Sequence, residues 1–475
     1  MKKSDVLLAK IREGHDITNN EKLSLIVSLS IPSILAQITS TLMFFIDASM
    51  VGSLGAEASA AVGIVETTTW LFGSLTSAAS MGFGVQVAHA IGANDFCKAR
   101  KVMRTGLIAV LVFTCLLSTV AFLIHEHLPY WLGGDESIAY NAGMYFLIYS
   151  LTLPFMQICN FSNSMLKASG NMKIPSIMSI QMCVLDVIFN FFCIYPTRTL
   201  SILSLDITVP GLGLGVVGAA IGTSLSIIVT AAFLGYSLLI KSPILALHLD
   251  KQKDVSWRPE IPHLKRAFSI AAPMALQYCL MNCAQMVSTI IVAPLGNFAI
   301  AANSFAITVE SLCYMPGYGI AEAGTTLVGQ SVGAKRLDLC KAFAWRCVGM
   351  GMAVMAFMGF VMYVFAPELM GLMTPVNEIV DLGISVLRIE AFAEPMFAAA
   401  IVCGSCMIGA GDTLIPACMN LASMWGVRLV IASSLAPVWG LVGVWIGMAI
   451  ELTFRGTIFL GRLLSGKWLK KVKIA

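Results

Sequence analysis

Val51-Gly-Ser-Leu-Gly-Ala-Glu-Ala-Ser-Ala-Ala61 returns 241 residues later as Val292-Ala-Pro-Leu-Gly-Asn-Phe-Ala-Ile-Ala-Ala302. The same offset carries Pro32 onto Pro273, Leu35 onto Leu276, Thr67 onto Thr308, Leu71 onto Leu312 and Gly92-Ala93 onto Gly333-Ala334. It still holds at Pro154 and Pro395, Gly170 and Gly411, and Ile174-Pro175 and Ile415-Pro416. Near the end, Gly215-Val-Val-Gly-Ala-Ala-Ile-Gly222 resembles Gly440-Leu-Val-Gly-Val-Trp-Ile-Gly447 at an offset of 225, the difference falling on a longer loop around 197–212. The fold is therefore built from two copies of one unit.

Composition says what the unit is. Of 475 residues, 57% are hydrophobic and 12% charged, with a mean hydropathy of +0.84. Soluble domains carry about 25% charged residues. A cytosolic enzyme, a secreted disulfide scaffold and a disordered chain are excluded. Apolar segments recur at 24–50, 58–91, 103–124, 139–163, 175–196, 214–240, 266–293, 299–331, 343–366, 379–407, 414–436 and 440–464. Lipid offers the backbone no hydrogen-bond partners, and the segments are far longer than barrel strands, so they are expected to be helices. Several exceed the roughly 20 residues that cross hydrocarbon, so tilt or bending is expected.

The expected fold is an all-α membrane protein of twelve transmembrane helices in two pseudo-symmetric six-helix lobes. An even number of spans per copy gives both copies the same orientation, a parallel repeat about an axis along the membrane normal. The division reads as a cytoplasmic segment 1–23, a lobe 24–240, a linker 241–265, a second lobe 266–464 and a basic tail 465–475. Residues 1–23 are too long and too acidic for a cleavable signal.

Orientation follows from the basic residues. Those before span 1, in alternate loops and at the C-terminus make up 27 of the 30. They include Lys98, Arg100, Lys167, Lys173, Arg336, Arg455 and Arg462. The opposite loops hold only Arg198. The positive-inside rule places both termini in the cytoplasm, consistent with a bacterial inner membrane. The formal charge of +4 then needs no nucleic-acid partner. The thirteen cysteines lie mostly in apolar spans. The CxxC pair Cys403 and Cys406 reads as small residues at a helix contact, and no Cys or His cluster supports a zinc site.

Two parallel six-helix lobes can rock about a central cleft, the geometry of alternating access. Ionisable groups inside spans are costly, and each is a functional candidate. Asp47 lies in the outer half of span 1. Asp186 and Asn190 share one face of span 5 at i,i+4 spacing, and Thr223 follows the Gly-rich opening of span 6. Together they suit a small hard cation or a shared proton. In the second copy, Ser288 and Val427 stand where Asp47 and Asp186 would fall, so the cation site is not expected to be duplicated. Arg388 with Glu390 or Glu394, and Arg428 with Glu451, are expected as structural ion pairs. Glu66, Asn282 and Glu310 are the candidates to face a substrate cleft.

These residues resemble the multidrug and toxic compound extrusion (MATE) family. The resemblance rests on Pro32, Asp47 and Val51-Gly52; on Leu327-Val-Gly-Gln-Ser-Val-Gly-Ala334 with its echo Ile91-Gly92-Ala93; on Met407-Ile-Gly-Ala-Gly-Asp-Thr413; and on Trp425-Gly-Val-Arg428. It implies two lobes in a V shape and efflux of amphipathic, cationic compounds driven by inward flow of protons or sodium, with no cofactor. It implies a coupling site at Asp47, Asp186, Asn190 and Thr223. Here the acid precedes the amide on span 5, whereas the family usually has the reverse order. Positions where some members hold carboxylates in spans 7 and 10 read Met281 and Met396-Phe397 here, so a cation site in the second lobe is expected to be absent. The partners implied are small organic cations and membrane lipid, with the chain acting as a monomer.

Two readings compete. A lipid-linked saccharide flippase, or a dedicated metabolite exporter, shares the two-lobe plan, but the former tends to keep a basic cleft. A membrane enzyme is disfavoured, since no HExxH helix, G-x-S-x-G elbow or phosphate loop is present.

Overall fold

In the computed structural model, residues 3–202, 205–249 and 257–470 are described. A short helix α1 (Lys3–Glu13) precedes α2 (Asn19–Gly52), α3 (Ala56–Gly92) and α4 (Phe96–Ile124). After one turn, α5 (Leu128–Trp131), come α6 (Glu136–Ala168) and α7 (Lys173–Ile194). A hairpin of β1 (Pro196–Ile202) and β2 (Leu205–Leu212) leads into α8 (Gly215–Tyr236), which ends in a π turn at Ser237–Lys241. The second half holds α9 (Ile261–Val292), α10 (Asn297–Gly333), α11 (Leu337–Met373), α12 (Asn377–Glu390) and α13 (Glu394–Gly409). Then follow α14 (Leu414–Ser423), a π turn at Met424–Arg428, α15 (Leu429–Ser465) and a last turn, α16 (Lys467–Lys470).

Among the described residues, nine helices are long and apolar enough to cross a membrane, and the bent pair α12 and α13 makes ten. Two further divisions complete twelve spans. Gly440 takes φ 57°, a left-handed conformation that favours glycine, and divides the stretch Leu414–Ser465 into two crossings, the first made of α14, the π turn and the start of α15. The 37-residue α3 is long enough to cross but is rich in Gly, Ala, Ser and Thr. Each expected span falls on a helix. The expected loop at 197–212 is instead the β1–β2 hairpin. The expected span 379–407 is broken, its two helices meeting at 57°. Pro395 sits in the first turn of α13, and the residue before a proline is disfavoured in the helical region.

Helices α2–α4 and α6–α8 form one lobe, and α9–α15 the other. They meet through α2, α3, α9 and α10. Glycine lets the backbones approach closely. A Cβ on Gly319 of α10 would sit 2.6 Å from Ile34 N of α2. Toward the face that carries the termini, the join is reciprocal. A Cβ on Gly92 would sit 2.0 Å from Gln330 O, and one on Gly333 2.0 Å from His89 O. The same offset of 241 that relates the two copies relates both glycines and both partners. His89 Nε2 lies 2.9 Å from Gly409 O, and Gln330 Nε2 donates to Ala168 O at 2.8 Å. Those two acceptors are again equivalent.

Helix α1 straps this face. Leu7, Leu8 and Ile11 are buried in the core that includes Val328 and Val332 of α10 and Met172 between α6 and α7. Thr18 caps α2 in a reciprocal capping box with Glu21, and Lys10 reaches Glu21 at 2.6 Å, which ties α1 to α2. Among the described residues, the hydrogen bonds recorded between lobes lie at mid-helix or toward this face. Toward the opposite ends of α2, α3 and α10 no hydrogen bond between lobes is recorded among the described residues, and Phe44, Glu66, Trp70 and Phe298 are exposed there. The molecule is closed at one face and open at the other.

Candidate functional site

Three of the four expected coupling residues converge in the first lobe. Asn190 Nδ2 donates to Asp47 Oδ1 at 2.9 Å and to Asp186 Oδ2 at 3.0 Å. Asp186 and Asn190 are 0% and 1% exposed. Asn190 Oδ1 is buried and has no hydrogen-bond partner. It is an oxygen acceptor held beside two carboxyl groups, in the lipid-depth part of the molecule where such groups are expensive. The geometry depends on Gly222. A Cβ there would lie 2.1 Å from Asn190 Oδ1 and 2.8 Å from its backbone N, so only glycine lets α8 press against α7.

Thr223 enters differently from its expected role. Its carbonyl lies 2.8 Å from Ser226 Oγ, whose single hydrogen is shared with Asp186 Oδ1 at 3.3 Å. The hydroxyl that touches the acid is therefore Ser226, one turn further along α8. Tyr145 of α6 stands within electrostatic range of Asp47, Asp186 and Glu66. Neither Ser226 nor Tyr145 was singled out in the sequence. Both are uncharged, and cost of burial is the signal that exposes Asp47.

The second lobe is not acid-free. Glu390 and Glu394, either side of the break between α12 and α13, are both 0% exposed; the Cys313 thiol lies against Glu394, and no N–H or O–H donor reaches any of their four carboxyl oxygens. Glu310 of α10 is buried and lies within electrostatic range of both. The expectation for this lobe is only that a cation site at the span 7 and span 10 positions, Met281 and Met396-Phe397, is absent. The acids enter instead from α10 and from the break.

The expected ion pairs are redistributed. Arg388 turns outward and places its guanidinium 5.3 Å from the centre of the Tyr363 ring, with Nε 3.4 Å from Tyr363 O. It does not pair with Glu390 or Glu394. Glu451 pairs with Arg455 at 2.6 Å, four residues along the same helix, and accepts from Ser423 Oγ at 2.5 Å. Arg428 lies in the field of Glu451, Glu310 and Glu390, and its Nε finds no hydrogen-bond partner. Arg455 and Lys167 were counted as loop residues that set topology. Lys167 belongs to a helix that runs past the apolar segment 139–163, whereas Arg455 lies within the segment 440–464 and turns inward to Glu451.

Between the lobes lies a cavity of about 350 Å³, lined by Gln37, Asn163, Lys167, Tyr278, Tyr318 and Glu322 among others. Glu322 Oε1 accepts from Lys167 Nζ at 2.6 Å and from Gln37 Nε2 at 3.0 Å. Glu322 Oε2 and Asn163 Oδ1 have no partner. Of the three expected cleft residues, none lines this cavity. Glu66 is exposed nearer the open face and accepts from Trp70 Nε1 at 3.3 Å. Asn282 is half-buried on α9. Glu310 is drawn into the second lobe. Among the described residues there is no group of three or more His, Cys, Asp or Glu arranged to hold a metal ion.

Comparison with known proteins agrees with the architecture. A "Probable multidrug resistance protein NorM" of Thermotoga maritima is 25% identical over 94% of this chain and 93% of its own length. An outward-facing structure of a multidrug resistance MATE family transporter is 22% identical, with a TM-score of 0.86, and covers 99% of each chain. A MOP superfamily transporter from Pyrococcus furiosus, also 22% identical, has a TM-score of 0.85 over 95% of this chain and 97% of that one. The two structural likenesses carry the fold. The MatE family profile matches twice, at residues 32–192 and 273–433, each match beginning and ending 241 residues from the other. With both halves matched separately, in the register that the duplicated sequence and the reciprocal glycine contacts share, the chain belongs to the MatE family of membrane transporters.

Proposed function

We propose that the chain is a secondary active exporter that moves amphipathic, cationic organic compounds outward in exchange for inward protons or sodium. The observation that carries this reading is the Asp47–Asn190–Asp186 arrangement. Two carboxyl groups share one amide donor, and the oxygen of that amide, against Gly222, has no hydrogen-bond partner. A sodium ion would take oxygens from Asp47 and Asp186, and from Asn190 with its amide turned over. A proton would be shared between two carboxyl groups that cannot both stay charged at low dielectric. Either occupant removes charge from the lobe interior and changes what conformation the lobe favours.

Both termini are taken as cytoplasmic, from the distribution of basic residues, in a bacterial inner membrane. The closed face is then cytoplasmic, and the described arrangement is the outward-open end of the cycle. The cavity beside Glu322, with tyrosines and unbonded oxygens, suits a cation with aromatic surface. The related proteins named for multidrug resistance support the breadth of substrate. The twelve-helix unit contains a complete cleft, so a monomer suffices.

The reading is tested in proteoliposomes loaded with ethidium. Gradients of protons and of sodium are imposed separately. Efflux accelerated by either one, and abolished when that gradient is collapsed, is expected. Efflux indifferent to both, with binding of an anionic lipid headgroup instead, would favour the flippase reading.

A further inference from the structure

His89 is buried, belongs to neither acid cluster, and lies where the lobes meet at the closed face. Its two ring nitrogens are engaged by the other lobe. Nε2 lies 2.9 Å from Gly409 O, and Nδ1 lies 3.0 Å from Arg266 Nη2. A carbonyl oxygen only accepts and a guanidinium only donates. The ring must then carry its hydrogen on Nε2 and a lone pair on Nδ1, which is the neutral form.

The repeat supplies an internal comparison. Gln330 occupies the equivalent place in the second copy and donates to Ala168 O at 2.8 Å, as His89 does to Gly409 O. Gly333 packs on His89 as Gly92 packs on Gln330. The closed face is thus pinned by two equivalent side chains, of which one titrates and one does not.

We infer that His89 makes closure of this face sensitive to acid. A proton on Nδ1 turns the acceptor for Arg266 into a donor, so two donors face each other and the hydrogen bond is lost. The surroundings do not offset the new charge. From α9 come Arg266 and His263, the latter 3.0 Å from Glu260. Asp95 precedes α4 and accepts from the backbone N of Lys98, whose side chain is also near. Beyond α13, Asp412 is paired with Arg462. On α10 the facing residues, Gln330 and Gly333, do not titrate. A cavity of about 260 Å³ bordered by His89, Asp95, Lys98, His263 and Arg266 gives the proton a route.

The sign follows from linkage. Closure accepts only the neutral ring, so its contribution is full above the ordinary imidazole range, near pH ~6.5, and is lost as pH falls below it. This requires only the two-lobe fold. The readout is a distance, so it succeeds or fails separately from the transport reading.

Donor and acceptor dyes are attached through non-canonical residues at positions 97 and 341, both exposed on this face. Single-molecule energy transfer in nanodiscs then follows lobe separation from pH 8 to pH 5.5. The open-to-closed ratio of the wild type is expected to rise by up to about tenfold per pH unit below ~6.5. His89→Gln copies the residue already present at 330 and is expected to stay closed and flat with pH. Adding Gln330→His to the wild type should steepen the response. A wild type flat across the range would overturn the inference without reference to any variant. So would a folded His89→Gln protein that titrates like the wild type.

Discussion

Lys167 Nζ sits 2.6 Å from Glu322 Oε1, across the divide between the two lobes. Lys167 closes α6 of the first copy and Glu322 lies on α10 of the second, so the pair exists only while the lobes are together on that side. Its side chains are 22% and 24% exposed, which places the pair between a screened surface bridge and a fully buried one. Replacing Lys167 by Met leaves Glu322 with Gln37 as its sole donor. A loss on the order of 2 kcal/mol is expected, recovered in large part by adding Glu322→Gln. Thermal unfolding of the single and double variants in detergent, read as a double-mutant cycle, measures it. Additive losses would show that the pair carries no coupling.

Gly92 and Gly333 are expected to be the least replaceable residues of the closed face. A Cβ at either meets a backbone oxygen at 2.0 Å, and no side-chain rotation relieves that. Gly92→Ala and Gly333→Ala should each shift the population toward separation at this face and slow transport at least tenfold. Gly461→Ala, where a Cβ meets nothing within 4 Å, is the matched control. Lobe separation by energy transfer and efflux rate, taken on the same preparations, check this. Closed and active alanine variants would contradict the assigned crossing.

Within the proposed coupling site, Ser226 and Thr223 separate two roles. Ser226 Oγ donates to Asp186, whereas Thr223 contributes its carbonyl. Ser226→Ala should therefore weaken ion-driven efflux more than Thr223→Ala, by a factor of several, corresponding to one lost hydrogen bond to a carboxyl of about 1–2 kcal/mol. Dependence of the efflux rate on driving-ion concentration is the measurement. The reverse order would return the hydroxyl role to Thr223.

In the second lobe, Glu451 is 0% exposed and holds Arg455 and Ser423. Arg455→Met strands a buried carboxylate and is expected to cost about 3–5 kcal/mol. Arg388→Met removes only an exposed contact with Tyr363 and should cost under about 1 kcal/mol. Melting temperatures of the two variants should differ accordingly. Equal losses would restore Arg388 to an interhelical pair.

Much of the architecture was legible because lipid leaves few choices. Apolar runs longer than a barrel strand become helices, and a self-similar sequence becomes a self-similar fold. Asp47, Asp186 and Asn190 were legible for the same reason, since polar groups at that depth need a purpose. Partner choice was not. Lys167 looks like a loop residue because hydropathy fades before α6 ends, and Arg455 reads as the start of the basic C-terminal run although it lies inside a span; a long basic side chain can turn toward solvent or inward. Glu394 and Glu390 look like one side of ion pairs until the break before Pro395 re-aims them. The hairpin at 196–212 replaces a loop whose extra length alone was visible. His89 carried no signal at all until its equivalence to Gln330 was seen in space.

The central claim is that Asp47, held by Asn190 beside Asp186, couples ion entry to export. The direct measurement is ethidium efflux from proteoliposomes under the driving gradient, for the wild type and for Asp47→Asn, with folding verified by thermal unfolding. Asp47→Asn keeps the shape of the side chain and removes the charge. Gradient-driven efflux is expected to fall at least tenfold while ethidium binding persists. A folded Asp47→Asn protein that exports at the wild-type rate would contradict the account.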